Sequence, residues 1–176
     1  MKTIFILLSF VFITKTVSAQ SELPGLQSKL EKAKTNEQKV KAYEDIILYY
    51  TDRDPDSVIF YCDLGLKYAA KNSVEEGMML GQMGNADKTQ GRMEVALKRM
   101  GTALQIFKDN NYARGIAEIY SNLGSIEAEK GNYDIAIKHF VTALKMHDSL
   151  KNKEGLLSTY RSIGLVYMPV SYTHLT

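Results

Sequence analysis

The sequence contains few of the residues that cross-link or kink a protein, and its net charge is small. It has one cysteine, Cys62, so no disulfide can form within the chain. It has no tryptophan and only three prolines among 176 residues, so long helices can run without interruption. Its 22 basic residues nearly balance 20 acidic ones. Such a chain lacks the positive surface that binds nucleic acid or anionic membranes, and we expect neither partner for the repeats described below.

Long apolar runs are also missing. The longest, residues 4–13, has about ten residues, whereas a membrane-spanning helix needs roughly 20. Lys2 precedes the run, and the small residues of Val17-Ser18-Ala19 follow it, which is the pattern of a cleaved export signal. We therefore expect residues 1–19 to be removed and the protein to be exported, either periplasmic or membrane-associated with its folded part outside the cytoplasm. Without Lys2 and Lys15, 20 basic residues balance the 20 acidic ones.

What the sequence has is an internal repeat with a step of 40 residues. Three glycine series keep this step, together with apolar positions such as Ala96 and Ala136: Gly84, Gly124 and Gly164; Gly91 and Gly131; Gly115 and Gly155. A period of 20–50 residues is typical of stacked repeat architectures, in which an extended surface carries the function.

Within each 40-residue unit the apolar residues are spaced by three and four, which predicts two amphipathic helices per unit. The predicted helices cover a lead helix near 23–34, then 37–51 with 55–71, 73–90 with 92–109, 112–130 with 132–150, and a solitary helix at 153–167. Four residues are predicted to cap helices: Asp54, Ser73 (in a capping box with Glu76), Asn132 and Asn152.

No constellation of residues points to chemistry. The histidines are His139, His147 and His174, and no carboxylate or thiol cluster joins them at the spacing of metal ligands. Glu127 and Glu129 point to different helix faces and form no acid/base pair. Cys62 lies on an apolar helix face and is expected to be buried. We expect no catalytic residue, no metal and no cofactor.

The third unit resembles a tetratricopeptide repeat. It reads Tyr120-x-x-Leu123-Gly124, then Gly131-Asn132-Tyr133, Ala136, Phe140 and Ala143-Leu144, and the fourth unit begins in the same way with Tyr160-x-x-Ile163-Gly164. The second unit has Met93 and Met100 where aromatic residues are usual, the first is divergent, and the step is 40 rather than the common 34. The resemblance covers residues 37–167.

The resemblance implies an all-α, tetratricopeptide-like helix-turn-helix solenoid, a right-handed superhelix of antiparallel helix pairs. Its parts would be a lead helix within 20–36 and an array of about three and a half repeats, 37–72, 73–111, 112–151 and 152–167. In this family small residues lie where helices touch, as expected for Gly124, Ala136 and Ala143. The concave face, formed by the first helix of each pair, binds protein or peptide. Here it would comprise Gln82, Asn85, Lys88, Glu118, Ser121, Asn122, Ser125, Glu129, Ser158, Arg161 and Ser162.

The 40-residue step behind an export signal resembles the repeat arrays of bacterial signalling proteins. The chain is therefore interpreted as the extracytoplasmic sensory part of a larger histidine kinase or transcriptional regulator, with a membrane anchor left open in a C-terminal continuation. Two alternatives stay open: a self-contained exported scaffold, and the binding module of an enzyme whose catalytic domain lies beyond this sequence.

The last residues break the repeat. Pro169 falls where the last turn of a helix should run, and residues 168–176 resemble translated sequencing-adaptor read-through. We expect these residues to be foreign and the natural protein to continue beyond Tyr167. The solitary last helix would then expose an apolar end, formed by Leu156, Tyr160, Ile163 and Val166.

Overall fold

The computed structural model describes residues 22–167, and these residues form eight α-helices and no strand. Residues 1–19, which the sequence predicts to be an export signal, and the C-terminal segment 168–176 lie outside the described residues. The helices are α1 (22–32), α2 (Asn36–Tyr50), α3 (Pro55–Gly65), α4 (Val74–Thr89), α5 (Met93–Asp109), α6 (Ala113–Glu129), α7 (Tyr133–Ser149) and α8 (Lys153–Tyr167). The all-α, tetratricopeptide-like fold predicted from the sequence is confirmed.

One predicted boundary is wrong. Helix α3 ends at Gly65 and not near residue 71. Beyond Gly65 the chain turns, with Tyr68 N–H donating to the Gly65 carbonyl at 2.9 Å. The turn places the Tyr68 ring on Tyr43 of α2, with ring centroids 5.9 Å apart, and under the Lys39 ammonium. The aromatic contact with α2 therefore ends the helix earlier than its apolar spacing predicts.

The helices fall into two compact units, Met1–Ala69 and Ala70–Thr176. The first unit contains α1 to α3. Its core lies between α2 and α3, where Tyr43, Ile46, Val58 and Cys62 are buried. Burial of Cys62 was predicted from its apolar helix face and is confirmed.

The second unit contains α4 to α8 in two layers. Helices α4, α6 and α8 follow one another in contact and form the inner layer, while α5 and α7 each pack against the inner helices before and after them. The α4–α6 core is built around Met100, Phe107, Ile119 and Ile126. This arrangement buries one face of each amphipathic helix and continues from pair to pair.

Glycine is required at repeated positions for two different physical reasons. Gly91 and Gly131 adopt φ angles of 75° and 81° in the turns within the pairs, where any other residue would be strained. Gly84 and Gly124 instead allow close helix contact: a Cβ at either position would lie 2.8 Å from a side-chain carbon, of Met100 and Phe140 respectively. The predicted tight contact at Gly124 is confirmed.

Of the four predicted helix caps, two form as predicted and two do not. The Asp54 carboxylate accepts from Asp56 N–H, and the Asn152 carbonyl oxygen accepts from Gly155 N–H at 3.1 Å, as predicted. The Ser73 hydroxyl accepts from Glu76 N–H, but the Glu76 carboxylate accepts from Asn72 N–H and not from Ser73 N–H, so the capping box is incomplete. Asn132 makes no side-chain cap, and its amide nitrogen donates to the Glu127 carboxylate.

Candidate interaction surface

The inner layer is held together by contacts that join residues 38 positions apart. The Ser121 hydroxyl on α6 donates to the Thr159 hydroxyl on α8 at 3.0 Å, and Thr159 is fully buried. Between α4 and α6, a Cβ at Gly81 would lie 3.4 Å from Ile119, which is ordinary van der Waals distance. Contacts between neighbouring inner helices thus join residues 38 apart. Residues 40 apart, the step of the sequence repeat, occupy equivalent positions on their own helices. Gln82, Asn122 and Ser162 form one such series.

The predicted surface residues all lie on the inner helices, and most are accessible. Four are exposed and five are half-buried. The exposed ones are Glu118, Glu129, Ser158 and Arg161, and the half-buried ones are Gln82, Asn85, Lys88, Asn122 and Ser162. Their contact with a ligand stays a prediction.

Ser121 and Ser125 differ from the others because both are buried. Their exposed fractions are 8% and 7%. The Ser125 hydroxyl donates to the Ser121 carbonyl, and Ser121 bonds to Thr159. Both hydroxyls therefore have internal partners, and little of either side chain faces solvent.

Three amides of this surface have no side-chain hydrogen bond within residues 22–167: those of Gln82, Asn85 and Asn122. Each amide offers two donor hydrogens and an acceptor oxygen, so each can serve both groups of a peptide unit. Their half-burial lowers the entropic cost of fixing them on a ligand relative to fully exposed side chains.

Charged side chains on the inner helices form two groups, one at each end of the layer. Burial lowers the pKa of the half-buried Lys88 ammonium, and the Glu129 carboxylate acts in the opposite direction. At the other end of the layer, Arg114 contacts Glu118 at 3.2 Å and Glu154 at 4.0 Å. These contacts to Glu118 and Glu154 raise the pKa of Arg114, with the hydrogen bond to Glu118 as the largest cause.

An ionic cluster around the buried Asp87 carboxylate joins α4 to α5, and the sequence patterns did not reveal it. The Asp87 carboxylate, 1% exposed, accepts from Arg92 at 2.7 Å and from Arg99 at 2.5 Å. The equivalent positions in the next pair are Glu127 and Asn132, which also bond, at 2.7 Å. In both pairs an acidic residue precedes a hydrogen-bond donor by five residues, and this spacing, repeated at the 40-residue step, could have identified the bond across the turn. The bond links the C-terminal end of one helix to the residue before the next helix.

His139 and His147 are packing residues, and His174 lies outside the described residues. The His139 ring stacks on Tyr120 with centroids 5.7 Å apart. His147 is 1% exposed, and its Nδ1 lies 3.1 Å from the Asn152 amide nitrogen. Burial lowers the pKa of both imidazoles.

Among residues 22–167 no group of three or more His, Cys, Asp or Glu side chains could hold a metal ion. No described helix combines the length and apolar character needed to cross a membrane. The cavity at the α7–α8 turn, about 450 Å³, is an open depression lined by Arg114, Asn152, Glu154 and the three neighbouring residues 150, 151 and 153. It contains no arrangement of nucleophile and base.

Comparison with known proteins gives one match. The tetratricopeptide repeat family model matches residues 115–168, which cover α6, α7 and α8. Neither the curated proteins nor the solved structures gave a match to this chain. The match supports a tetratricopeptide repeat in this part of the sequence, and such repeats are in general protein-interaction modules.

Proposed function

We propose that the inner surface of α4, α6 and α8 binds an extended peptide segment of a partner protein. The observation that carries the proposal is the set of unpaired amides of Gln82, Asn85 and Asn122 on adjacent helices. An extended peptide presents its own N–H and C=O groups at regular intervals, which side-chain amides can bind in both directions. Arg161, exposed on α8, would hold a carboxylate of the same peptide.

The test uses a peptide selected from a display library for binding to the chain. Its affinity is measured for the wild-type chain, for a variant with Asn85→Ala and Asn122→Ala, and for a control variant. Removing the amides of Asn85 and Asn122 together should weaken binding about tenfold or more, since each lost hydrogen bond costs about 0.5–1.5 kcal/mol. Gln105→Ala on α5 is the matched control, because Gln105 is an exposed amide that bonds to Asp109 of its own helix. Equal affinity for the double variant and the control would exclude the inner surface as the binding site.

We further propose that the chain is exported and forms the sensory part of a larger signalling protein. Support comes from the apolar run at residues 4–13, the Val17-Ser18-Ala19 pattern and the 40-residue step. Long-read sequencing of the source locus through the codon for Tyr167 tests this context. A downstream membrane-spanning segment would support the sensor, whereas a stop codon directly after the codon for Thr176 would favour the self-contained scaffold.

A further inference from the structure

Helix α8 is joined to α7 through a buried histidine. His147 lies in the last turn of α7 and is 1% exposed. Its Nδ1 atom lies 3.1 Å from the amide nitrogen of Asn152, and the Asn152 carbonyl oxygen accepts from Gly155 N–H in the first turn of α8. A Cβ at Gly155 would overlap the His147 ring, so the ring lies directly against the α8 backbone. We name these three residues the α7–α8 joint.

The hydrogen bonds of this joint require a neutral imidazole. The bond from Gly155 N–H holds the Asn152 amide with its oxygen toward α8 and its NH₂ group toward His147. Because an amide NH₂ group only donates, Nδ1 of His147 accepts, and the single ring proton is on Nε2. Protonation of the ring places a hydrogen on Nδ1 as well, so that two donors face each other inside the joint.

The equivalent joint 40 residues earlier has the same backbone and no group that titrates near neutral pH. Its residues are Phe107, Tyr112 and Gly115. Tyr112 N–H donates to the Phe107 carbonyl at 2.8 Å, as Asn152 N–H does to the carbonyl of His147. A Cβ at Gly115 would lie 2.7 Å from the Phe107 ring, whose centroid is 5.3 Å from that of Tyr112. An aromatic pair therefore occupies the place that the histidine and the amide occupy in the α7–α8 joint.

The charges around His147 do not compensate for its burial. Burial lowers the pKa of the imidazole, the Glu118 carboxylate raises it and the Arg114 guanidinium lowers it. These two α6 side chains also bond to each other at 3.2 Å. The other charged residues at this turn belong to α7, α8 and the residues between them, and all are exposed to water, which screens their charges: Asp148, Lys151, Lys153 and Glu154.

The rest of α8 has contacts of its own, one and two turns beyond the joint. The Thr159 hydroxyl accepts from Ser121 at 3.0 Å, and Ile163 packs against three α6 and α7 residues, Ala128, Ala136 and Phe140. The sequence placed Ile163 at an exposed apolar end, and that expectation is wrong, whereas Tyr160 is exposed as expected. The joint therefore holds the first turn of α8, and other contacts hold the remainder.

We propose that the α7–α8 joint is pH-sensitive and that protonation of His147 releases the first turn of α8 from α7. Either the Asn152 amide rotates to accept from Nδ1–H and gives up the bond from Gly155 N–H, or the ring leaves its place against Gly155. Asn152 also lines the open cavity at this turn, which gives water access to the joint. The closed joint disfavours the added proton and the open joint does not, so opening increases as the pH falls below about 6.5. The proposal concerns a different part of the molecule from the peptide site and does not rest on it.

The experiment is hydrogen exchange of the full chain at pH 7.5 and 5.0, read by NMR at the amides of residues 155–159. Residues 115–119, at the earlier joint, are the control within the same molecule. An open joint with an ordinary histidine pKa of about 6.5 becomes up to about thirtyfold more populated over this range. After correction for the intrinsic exchange rates, we expect protection of 155–159 to fall by about ten- to thirtyfold and that of 115–119 by less than about threefold.

Two variants remove the titrating group. His147→Phe with Asn152→Tyr copies the earlier joint, and His147→Gln keeps a neutral side chain that can accept. Both should abolish the difference between the two segments. His139→Gln and His174→Gln are the matched controls and should keep it, because neither residue belongs to the joint.

Three results would overturn the proposal. In the first, both segments lose protection equally, which means that the whole unit responds to pH and not the joint. In the second, the difference persists in both His147 variants. In the third, nitrogen NMR of the wild-type imidazole at pH 7.5 shows a proton on Nδ1 of His147, which contradicts the hydrogen bond on which the mechanism depends.

Discussion

Replacing Gly124 by alanine tests whether the contact between α6 and α7 is as close as the structure indicates. A Cβ at Gly124 would lie 2.8 Å from two ring carbons of Phe140, whose side chain is 1% exposed and has no room to move. The matched control is Gly101→Ala on α5, where nothing lies within 4 Å of an added Cβ. Both changes gain about 1 kcal/mol of helix propensity, and only Gly124→Ala adds an overpacking cost of about 1–3 kcal/mol.

The two variants should therefore differ in the free energy of unfolding by about 1–3 kcal/mol. Gly101→Ala should raise the melting temperature by about 2–4 °C, whereas Gly124→Ala should leave it unchanged or lower it. Thermal unfolding followed by circular dichroism measures both. Adding Phe140→Leu to Gly124→Ala should recover part of the loss, as a double-mutant cycle would show. If both alanine variants melt at the same raised temperature, the Phe140 ring does not fix the distance between the helices.

Three further predictions concern the same unit. Ala136→Leu should lower the melting temperature, because the site is fully buried against Phe140 and overpacking costs about 1–3 kcal/mol; an unchanged melting curve would exclude that contact. Asp87→Asn should destabilise the chain by about 1.5–3 kcal/mol in urea unfolding, because two arginines lose a buried carboxylate; an unchanged midpoint would show that the cluster contributes nothing. Burial lowers the pKa of His139 and His147, so the unfolded chain binds more protons. Stability should be complete above about pH 6.5 and fall as the pH drops below it, and His147→Gln should flatten this slope; an equal slope in the variant would contradict the assignment.

The helices of this chain could be predicted closely because each begins or ends at a local signal. Seven of the eight helix ends lie within two residues of the prediction, since apolar spacing and turn residues such as Gly91 and Gly131 are properties of short segments. The end of α3 could not be predicted, because it depends on where Tyr68 meets Tyr43 of another helix. That contact is set by tertiary packing and leaves no mark in the local sequence.

The family resemblance assigned all eleven residues of the candidate surface to the first helices of the pairs, yet it could not show that Ser121 and Ser125 are covered. Ser121 lies where α8 packs on α6, and the contacts between these helices follow a 38-residue offset, as in the Ser121–Thr159 bond. The Asp87 cluster was missed for a similar reason: Asp87 and Arg99 are twelve residues apart on different helices, so no helical spacing relates them.

The step of 40 residues separates two kinds of position, and the separation bears on the proposed peptide site. Positions that face the other helix of the same pair keep their chemistry, as glycine does at 84 and 124, because the packing distance between helices fixes their size. Positions on the inner surface change from unit to unit, as in the series Gln82, Asn122 and Ser162, although they occupy equivalent places on adjacent helices. Packing does not require this variation, since all three side chains are only half-buried. A surface whose residues differ at equivalent positions can distinguish successive residues of an extended ligand, whereas identical residues would bind any register equally well. The variation along the inner layer is therefore what a peptide-binding surface with a defined register requires.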